Sequence, residues 1–265
     1  MTGESTERSY PVPPDCVYVW RGFRAPKMTQ DQFANFLGST FVPACALLQP
    51  AVGLRAYVSC LVPQTTKPAA VPDQTALMFW ADPGAHDLAT RSLAVRIYQN
   101  LHGGAYDVPR SHTTEVPVAL PTAAGTLTAD QPYHLLDGAA DWMLGTTHHV
   151  VGSRSDSTDV ETFLATLCSW ASEFRTSPPN GVDGALIAVG NDFAVAWVHG
   201  PDPNVDLAPA VAGFTASVEL VLAVDPPKKQ VVRTLWDDWP GLDLTAEPCL
   251  NFQFSRHSDT RPRSG

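Results

Sequence analysis

The first clear pattern of hydrophobic and polar positions runs from Val17 to Val62. Val17–Arg24 (VYVWRGFR) is β-branched and aromatic and is closed by Ala25-Pro26. Proline lacks a donor and pushes its predecessor to extended geometry, so a strand is predicted to stop there. Thr29 stands where an N-cap belongs, with Asp31 and Gln32 in the first turn, where acceptors suit the helix dipole. Phe33, Phe36, Leu37 and Phe41 recur at spacings of three and four, and Ala44, Leu47 and Leu48 extend the stripe. Pro43 interrupts this helix and predicts a kink or two pieces; Pro50 and Gly53 end it. Leu54, Ala56, Val58, Cys60 and Val62 then alternate with Arg55, Tyr57, Ser59 and Leu61, the period of a strand.

The same succession continues. Pro63–Asp73 reads as a loop, Gln74–Asp82 as a strand, and Asp87–Leu101 as a helix ended by His102-Gly103-Gly104. His112–Leu120 alternates again, with Pro117 confining it to an edge or a bulge. The order β-α-β-β-α-β is the ferredoxin-like split unit. Pro121–Leu136 is irregular and marks a boundary. Asp141–Arg154 reads as a new first strand, and Ser157 or Thr158 as the cap of a helix over Asp159–Arg175. Val182–Val189 and Asp192–His199 read as a hairpin around Gly190-Asn191. Beyond Gly200, Asp206–Phe214 reads as a helix broken by Pro209. Val218–Val224, Val231–Trp236 and Cys249–Phe254 look extended, and no clean second helix is placed. The expected fold class is α+β, with two ferredoxin-like domains, 17–120 and 140–255, packed through their sheets between loose termini, 1–16 and 256–265.

Composition narrows the function classes. The 265 residues are 44% hydrophobic and 17% charged, enough to bury a sizeable core. A formal net charge of −10 argues against nonspecific nucleic-acid binding and against an anionic membrane surface. The N-terminal stretch has no basic region followed by an apolar run, and no run approaches the length of a membrane span, so no signal peptide and no membrane segment are expected. Five scattered cysteines, Cys16, Cys45, Cys60, Cys168 and Cys249, lack zinc spacing and read as reduced thiols of a cytoplasmic protein.

Two such units in one chain resemble the dimeric α/β-barrel superfamily, fused in tandem so that one chain supplies both halves. The resemblance is carried by YVWRGFR, TQDQFANFLG and GLRAYVSCLV in the first half, and by DWMLGTTHHVVGSR, DVETFLATLCSW and GALIAVGNDFAVAWVHG in the second. It covers about 200 residues and is architectural. A narrower resemblance is to the tandem-domain oxygenases of angucycline pathways, which open an aromatic ring oxidatively. That superfamily includes cofactor-independent quinol and anthrone monooxygenases, polyketide cyclases, small-molecule isomerases and some haem enzymes. The resemblance implies an oxygenase of an electron-rich polycyclic aromatic in natural-product biosynthesis. No tightly bound cofactor is implied: oxygen is the co-substrate, with reduced flavin from a separate flavin reductase as the other route. A homodimer is compatible with it. The alternatives are a cyclase or isomerase in the same pocket, or a non-catalytic small-molecule-binding protein.

Standard catalytic signatures are absent from the chain: it has no G-x-G-x-x-G, Walker A, G-x-S-x-G or H-E-x-x-H. The candidates are polar and aromatic residues on strands. In the resembled architecture the pocket lies between the curved sheet and its helices, where Trp20, Tyr57, Trp80, Trp197 and Trp236 would hold a flat ligand. Each has an ordinary place in a core as its alternative. His148, His149 and His199 are the candidate bases. His148 and His149 are neighbours on a strand and point to opposite faces, so one ion cannot take both, and no metal site is expected. Trp197 and His199 share a face. Arg21 pairs with a phenolate or enolate if its face is the inner one, and is a solvated charge if it is the outer. His102 reads as a helix C-terminal cation, and Asp237-Asp238 as a turn before Pro240-Gly241.

Overall fold

The computed structural model describes residues 17–223, apart from short stretches at 50–52, 63–66, 93–94, 97–98, 116–118, 122–124, 137–139, 143–144 and 219. Trp236, Asp237-Asp238, the strands expected at Val231–Trp236 and Cys249–Phe254, Cys16 and Cys249 lie outside the described residues.

The chain is α+β. Four strands, β1 (Val17–Gly22), β2 (Leu54–Leu61), β3 (Gln74–Trp80) and β4 (His112–Thr114), form an antiparallel sheet in the order β2-β3-β1-β4. Five more, β5 (Pro132–Leu136), β6 (Thr146–Ser153), β7 (Gly184–Val189), β8 (Phe193–Gly200) and β9 (Leu220–Ala223), form a second in the order β5-β7-β8-β6-β9. With β5 set aside, both sheets run second, third, first, fourth. This shared order is compatible with tandem ferredoxin-like repeats.

Local chemistry accounts for most element ends. The first helix, α1 (Gln30–Phe36), starts in a capping box: Gln32 N–H donates to Thr29 Oγ1 at 3.2 Å, and Thr29 N–H donates to Gln32 Oε1 at 2.9 Å. It runs through a π-helical turn, Leu37–Phe41, into α2 (Val42–Leu48), with Val42 N–H reaching back to the Leu37 carbonyl. The wide turn just before Pro43 is how the helix accommodates a ring that has no N–H and crowds the preceding turn. The helix read over Asp87–Leu101 is interrupted: α3 (Pro83–Arg91) ends where Ser92 turns extended, and Val95, Arg96 and Gln99 are helical again. His102-Gly103-Gly104, read as a helix end, forms a one-turn helix of its own, α4 (His102–Ala105), whose His102 carbonyl accepts from Tyr106 N–H. The fourth strand is three residues long.

In the second half, Asp159 rather than Ser157 or Thr158 caps α5 (Val160–Thr176), accepting from Thr162 N–H at 2.8 Å. The carboxylate is the stronger acceptor at a helix start. Gly190 N–H donates to the Phe193 carbonyl at 2.8 Å, which sets Asn191-Asp192 at the hairpin tip, one residue beyond the predicted pair. Pro209 opens α6 (Ala208–Ala216) instead of breaking it, since the first turn of a helix needs no N–H from it. That helix, read over Asp206–Phe214 as broken, is intact and is the second helix of this half. Within the stretch read as irregular, Pro132–Leu136 is a strand at the edge of the second sheet.

Alternation along the strands sorts the side chains into layers. From the first sheet Val17, Val19, Val58, Thr75, Leu77 and Phe79 point toward the second sheet. Val151, Leu186, Phe193, Val195 and Trp197 come from the second sheet to meet them in one continuous core. Phe79 stacks on Trp142 across this layer, with ring centroids 5.3 Å apart. On its other face the second sheet packs against α5 and α6 through Ile187, Ala196, Val198, Leu167, Phe174 and Phe214. Among the described residues no helix is long and apolar enough to cross a membrane.

Candidate functional site

The outer face of the first sheet carries Tyr18, Trp20, Tyr57, Gln74, Met78 and Trp80, and the broken helices above it leave a cavity of about 80 Å³. Trp20, Tyr57 and Trp80 come to it from three different strands. Phe41 comes from the π-helical turn, Gln49 from the C-terminal end of α2, His86 and Thr90 from α3, and His102 from α4. The described lining includes no Lys, Arg, Asp or Glu.

A buried network fixes the floor. Gln74 Nε2 donates to Ser59 Oγ at 2.5 Å and to Tyr57 Oη at 3.3 Å, while Gln74 Oε1 accepts from the Tyr106 hydroxyl. Gln74 thus gives its protons to one side and takes one from the other. Tyr57 accepts there and keeps its own hydrogen for another acceptor. Burial raises both tyrosine pKa values well above the ordinary phenol value, so the network stays neutral. A Cβ at Gly22 would stand 2.5 Å from Tyr106 Cε1 and 2.6 Å from Trp20 Nε1; glycine there is what lets both rings close over the sheet.

Two histidines complete the wall. His102 is boxed by Phe41, Trp20 and Tyr106, with centroids at 4.7, 5.3 and 5.5 Å. Its Nδ1 lies 3.0 Å from the Gln99 carbonyl. A carbonyl only accepts, so Nδ1 carries the hydrogen, and in the neutral ring Nε2 holds the lone pair. Burial lowers its pKa, against an opposing pull from that hydrogen bond, which favours the neutral form. His86 stacks on Tyr18 at 4.0 Å and meets Trp80 edge-on at 5.4 Å, and burial lowers its pKa too. Among the described residues that line the cavity, Trp20 Nε1, Trp80 Nε1, Gln49 Oε1 and His86 Nδ1 have no hydrogen-bond partner.

Of the residues singled out in the sequence, the structure brings Trp20, Tyr57 and Trp80 together in this cavity. The others stand elsewhere. Arg21 is fully buried on the inner face of β1. There Nη1 pairs with Asp130 at 2.9 Å, and Nη2 donates to the Asp130 carbonyl at 2.8 Å and to Thr114 Oγ1. It is neither solvated nor in the cavity; it ties the first sheet to the segment entering the second. Asp130 itself is 62% exposed and takes a positive φ of 64° to make the contact.

The two adjacent histidines separate as strand geometry requires. His149 is buried between the sheets, with Nε2 2.8 Å from Thr75 Oγ1, and burial holds its pKa down to about 3. His148 is half-buried on the opposite face, and burial lowers its pKa against a raising effect of Asp206. Trp197 and His199 do share the inner face. Trp197 is sealed in the core beside His149, and His199 Nδ1 pairs with Asp183 Oδ1 at 2.5 Å against Trp142. Among the described residues no group of three His, Cys, Asp or Glu is placed to hold a metal ion, and Cys45, Cys60 and Cys168 are buried thiols outside any disulfide.

Gln49, Gln74, His86 and Tyr106 escaped the sequence reading. Only Gln74 had a signal: it shares strand parity with Met78 and Trp80 at the start of an otherwise apolar run. A larger groove of about 390 Å³ lies where β6 meets α5, but it is open and polar. Its cation, Arg154, is committed to Asp192, the Asn191 carbonyl and the Thr158 carbonyl.

No protein-family model and no curated protein matches this chain. Among solved structures it is similar to a candidate monooxygenase from Lactobacillus acidophilus NCFM at 11% identity, covering 77% of this chain and 89% of that one, with a TM-score of 0.33. It is similar to a second candidate monooxygenase, from Fusobacterium nucleatum, at 8% identity, covering 81% and 92%, with a TM-score of 0.41. An anthrone oxidase-like protein is similar at 12% identity, covering 81% and 93%, with a TM-score of 0.31. At these scores the likeness carries no argument about the reaction of this chain.

Proposed function

We propose that this chain is an oxygenase of an electron-rich aromatic of the quinol, anthrone or naphthol type, with its site in the cavity beneath the first sheet. The observation that carries the proposal is an uncharged, aromatic-walled cavity holding a histidine whose hydrogen is fixed on Nδ1. His102 Nε2 takes a proton from a phenol or an activated carbon of the substrate. Burial keeps the imidazole neutral near pH 7, the form that can accept a proton. The anion left behind is rich enough in electrons to react with oxygen. For an activated methylene, one oxygen atom becomes the carbonyl and the other leaves as water with the two methylene hydrogens, so no reductant is needed. For a ring C–H, two further electrons are required, and reduced flavin brought by a separate reductase supplies them. No cofactor is held tightly in this scheme. A polyketide-derived substrate, with oxidative ring opening as one outcome, is the class the sequence resemblance implies.

The cavity is smaller than the ~150 Å³ that encloses a benzene ring, so the edge of one ring enters and the rest of a polycyclic lies toward the mouth. The test is oxygen uptake by the purified chain with anthrones, naphthols and polycyclic hydroquinones, with and without a flavin reductase system. Uptake above the enzyme-free rate supports the proposal. Binding without uptake moves the assignment to a cyclase or to a small-molecule carrier.

A further inference from the structure

We infer that the cavity recognises one uncharged hydroxyl group on the edge of an aromatic ring and rejects the corresponding carboxylate. The inference rests on reading this cavity as the substrate site. Trp80 is 1% and Gln49 is 6% exposed, and both line the cavity. Among the described residues the Trp80 indole N–H has no acceptor and Gln49 Oε1 has no donor. A buried donor and a buried acceptor left unpaired both cost stability, and both residues line the same small cavity, where an occupant can pair them.

A hydroxyl pairs both at once: its lone pair accepts from Trp80 Nε1–H, and its hydrogen goes to Gln49 Oε1. An ether oxygen satisfies Trp80 alone. A carboxylate has no hydrogen for Gln49 and brings a full charge into a described lining that carries no cation. The hydroxyl held this way is a fixed handle. The proton that His102 removes comes from a second acidic position of the same substrate.

Calorimetric titration of the full chain with 1-naphthol, 1-methoxynaphthalene and 1-naphthoate tests this. The naphthol is expected to bind about 3- to 10-fold tighter than its methyl ether, the range one neutral hydrogen bond supports, and the naphthoate weaker than both. Gln49→Leu is expected to erase the preference for naphthol over ether. Trp80→Phe is expected to weaken both ligands alike and leave their ratio unchanged. Naphthoate binding as tightly as naphthol, or a preference that survives Gln49→Leu in a variant with native circular dichroism, overturns the inference and leaves the cavity as the site. The three-ligand comparison on the unaltered chain stands even where a variant does not fold. Failure of all three ligands to bind overturns both the inference and the reading of the cavity.

Discussion

Beneath the first sheet stand Tyr18, Trp20, Tyr57, Gln74 and Trp80, covered by a helix with a π-helical turn and by short helices. Beneath the second, with the same strand order, stand Val150, Ala185, Ile187, Ala196 and Val198. These are covered by the unbroken α5 and by α6, whose Leu167, Phe174 and Phe214 are almost fully buried. Aliphatic strands and a continuous helix interdigitate into a solid layer. Large rings and amides under a broken helix do not close, and the space they leave is the cavity. The comparison teaches that one strand order, used twice, packs into a solid layer in one half and leaves a cavity in the other.

The comparison can be broken from the foundation side first. Phe214→Ala removes a fully buried ring from the second half, and urea unfolding should show a loss of about 3–5 kcal/mol. Oxygen uptake per folded molecule should be unchanged. On the other side, Gln74→Leu strands the hydroxyls of Ser59, Tyr57 and Tyr106, and the same measurement should show about 2–4 kcal/mol. Here binding at the cavity should weaken as well, since its floor has lost the group that orients both tyrosines.

The layer between the halves is sharpened by pH. His149 has a folded pKa of about 3, against an ordinary value of 6.5 in the unfolded chain. Below 6.5 the unfolded chain takes up a proton that the folded one refuses. The stability tied to His149 is therefore complete above pH 6.5 and is lost as pH falls from there toward 3. His86, His102 and His148, also lowered, act in the same direction. Urea midpoints measured from pH 7 to pH 4 should fall, and His149→Gln should remove about 1.4 kcal/mol per pH unit from that slope.

Much of the fold was legible because it is written locally. The Thr29 cap, the strand periods, the interruption at Pro43 and the opposite facing of His148 and His149 all follow from spacing alone. Pro209 misled because proline reads as a breaker until the helix start is known. The site was legible only in part. Trp20, Tyr57 and Trp80 stand on strands of legible parity and converge. His86, Gln49 and His102 come from helix ends whose placement over the sheet depends on packing, not period. Arg21 could not be assigned a face because its partner, Asp130, lies 109 residues along the chain.

The proposed chemistry sits in the first half and uses His102. Oxygen uptake with the best naphthol or anthrone substrate, compared between His102→Gln and His199→Gln, tests it most directly. The account predicts that His102→Gln loses about 100-fold or more, the usual worth of a general base, while folded His199→Gln keeps its rate. Full activity in His102→Gln, with the loss falling on His199→Gln instead, would contradict it and move the site to the layer between the sheets.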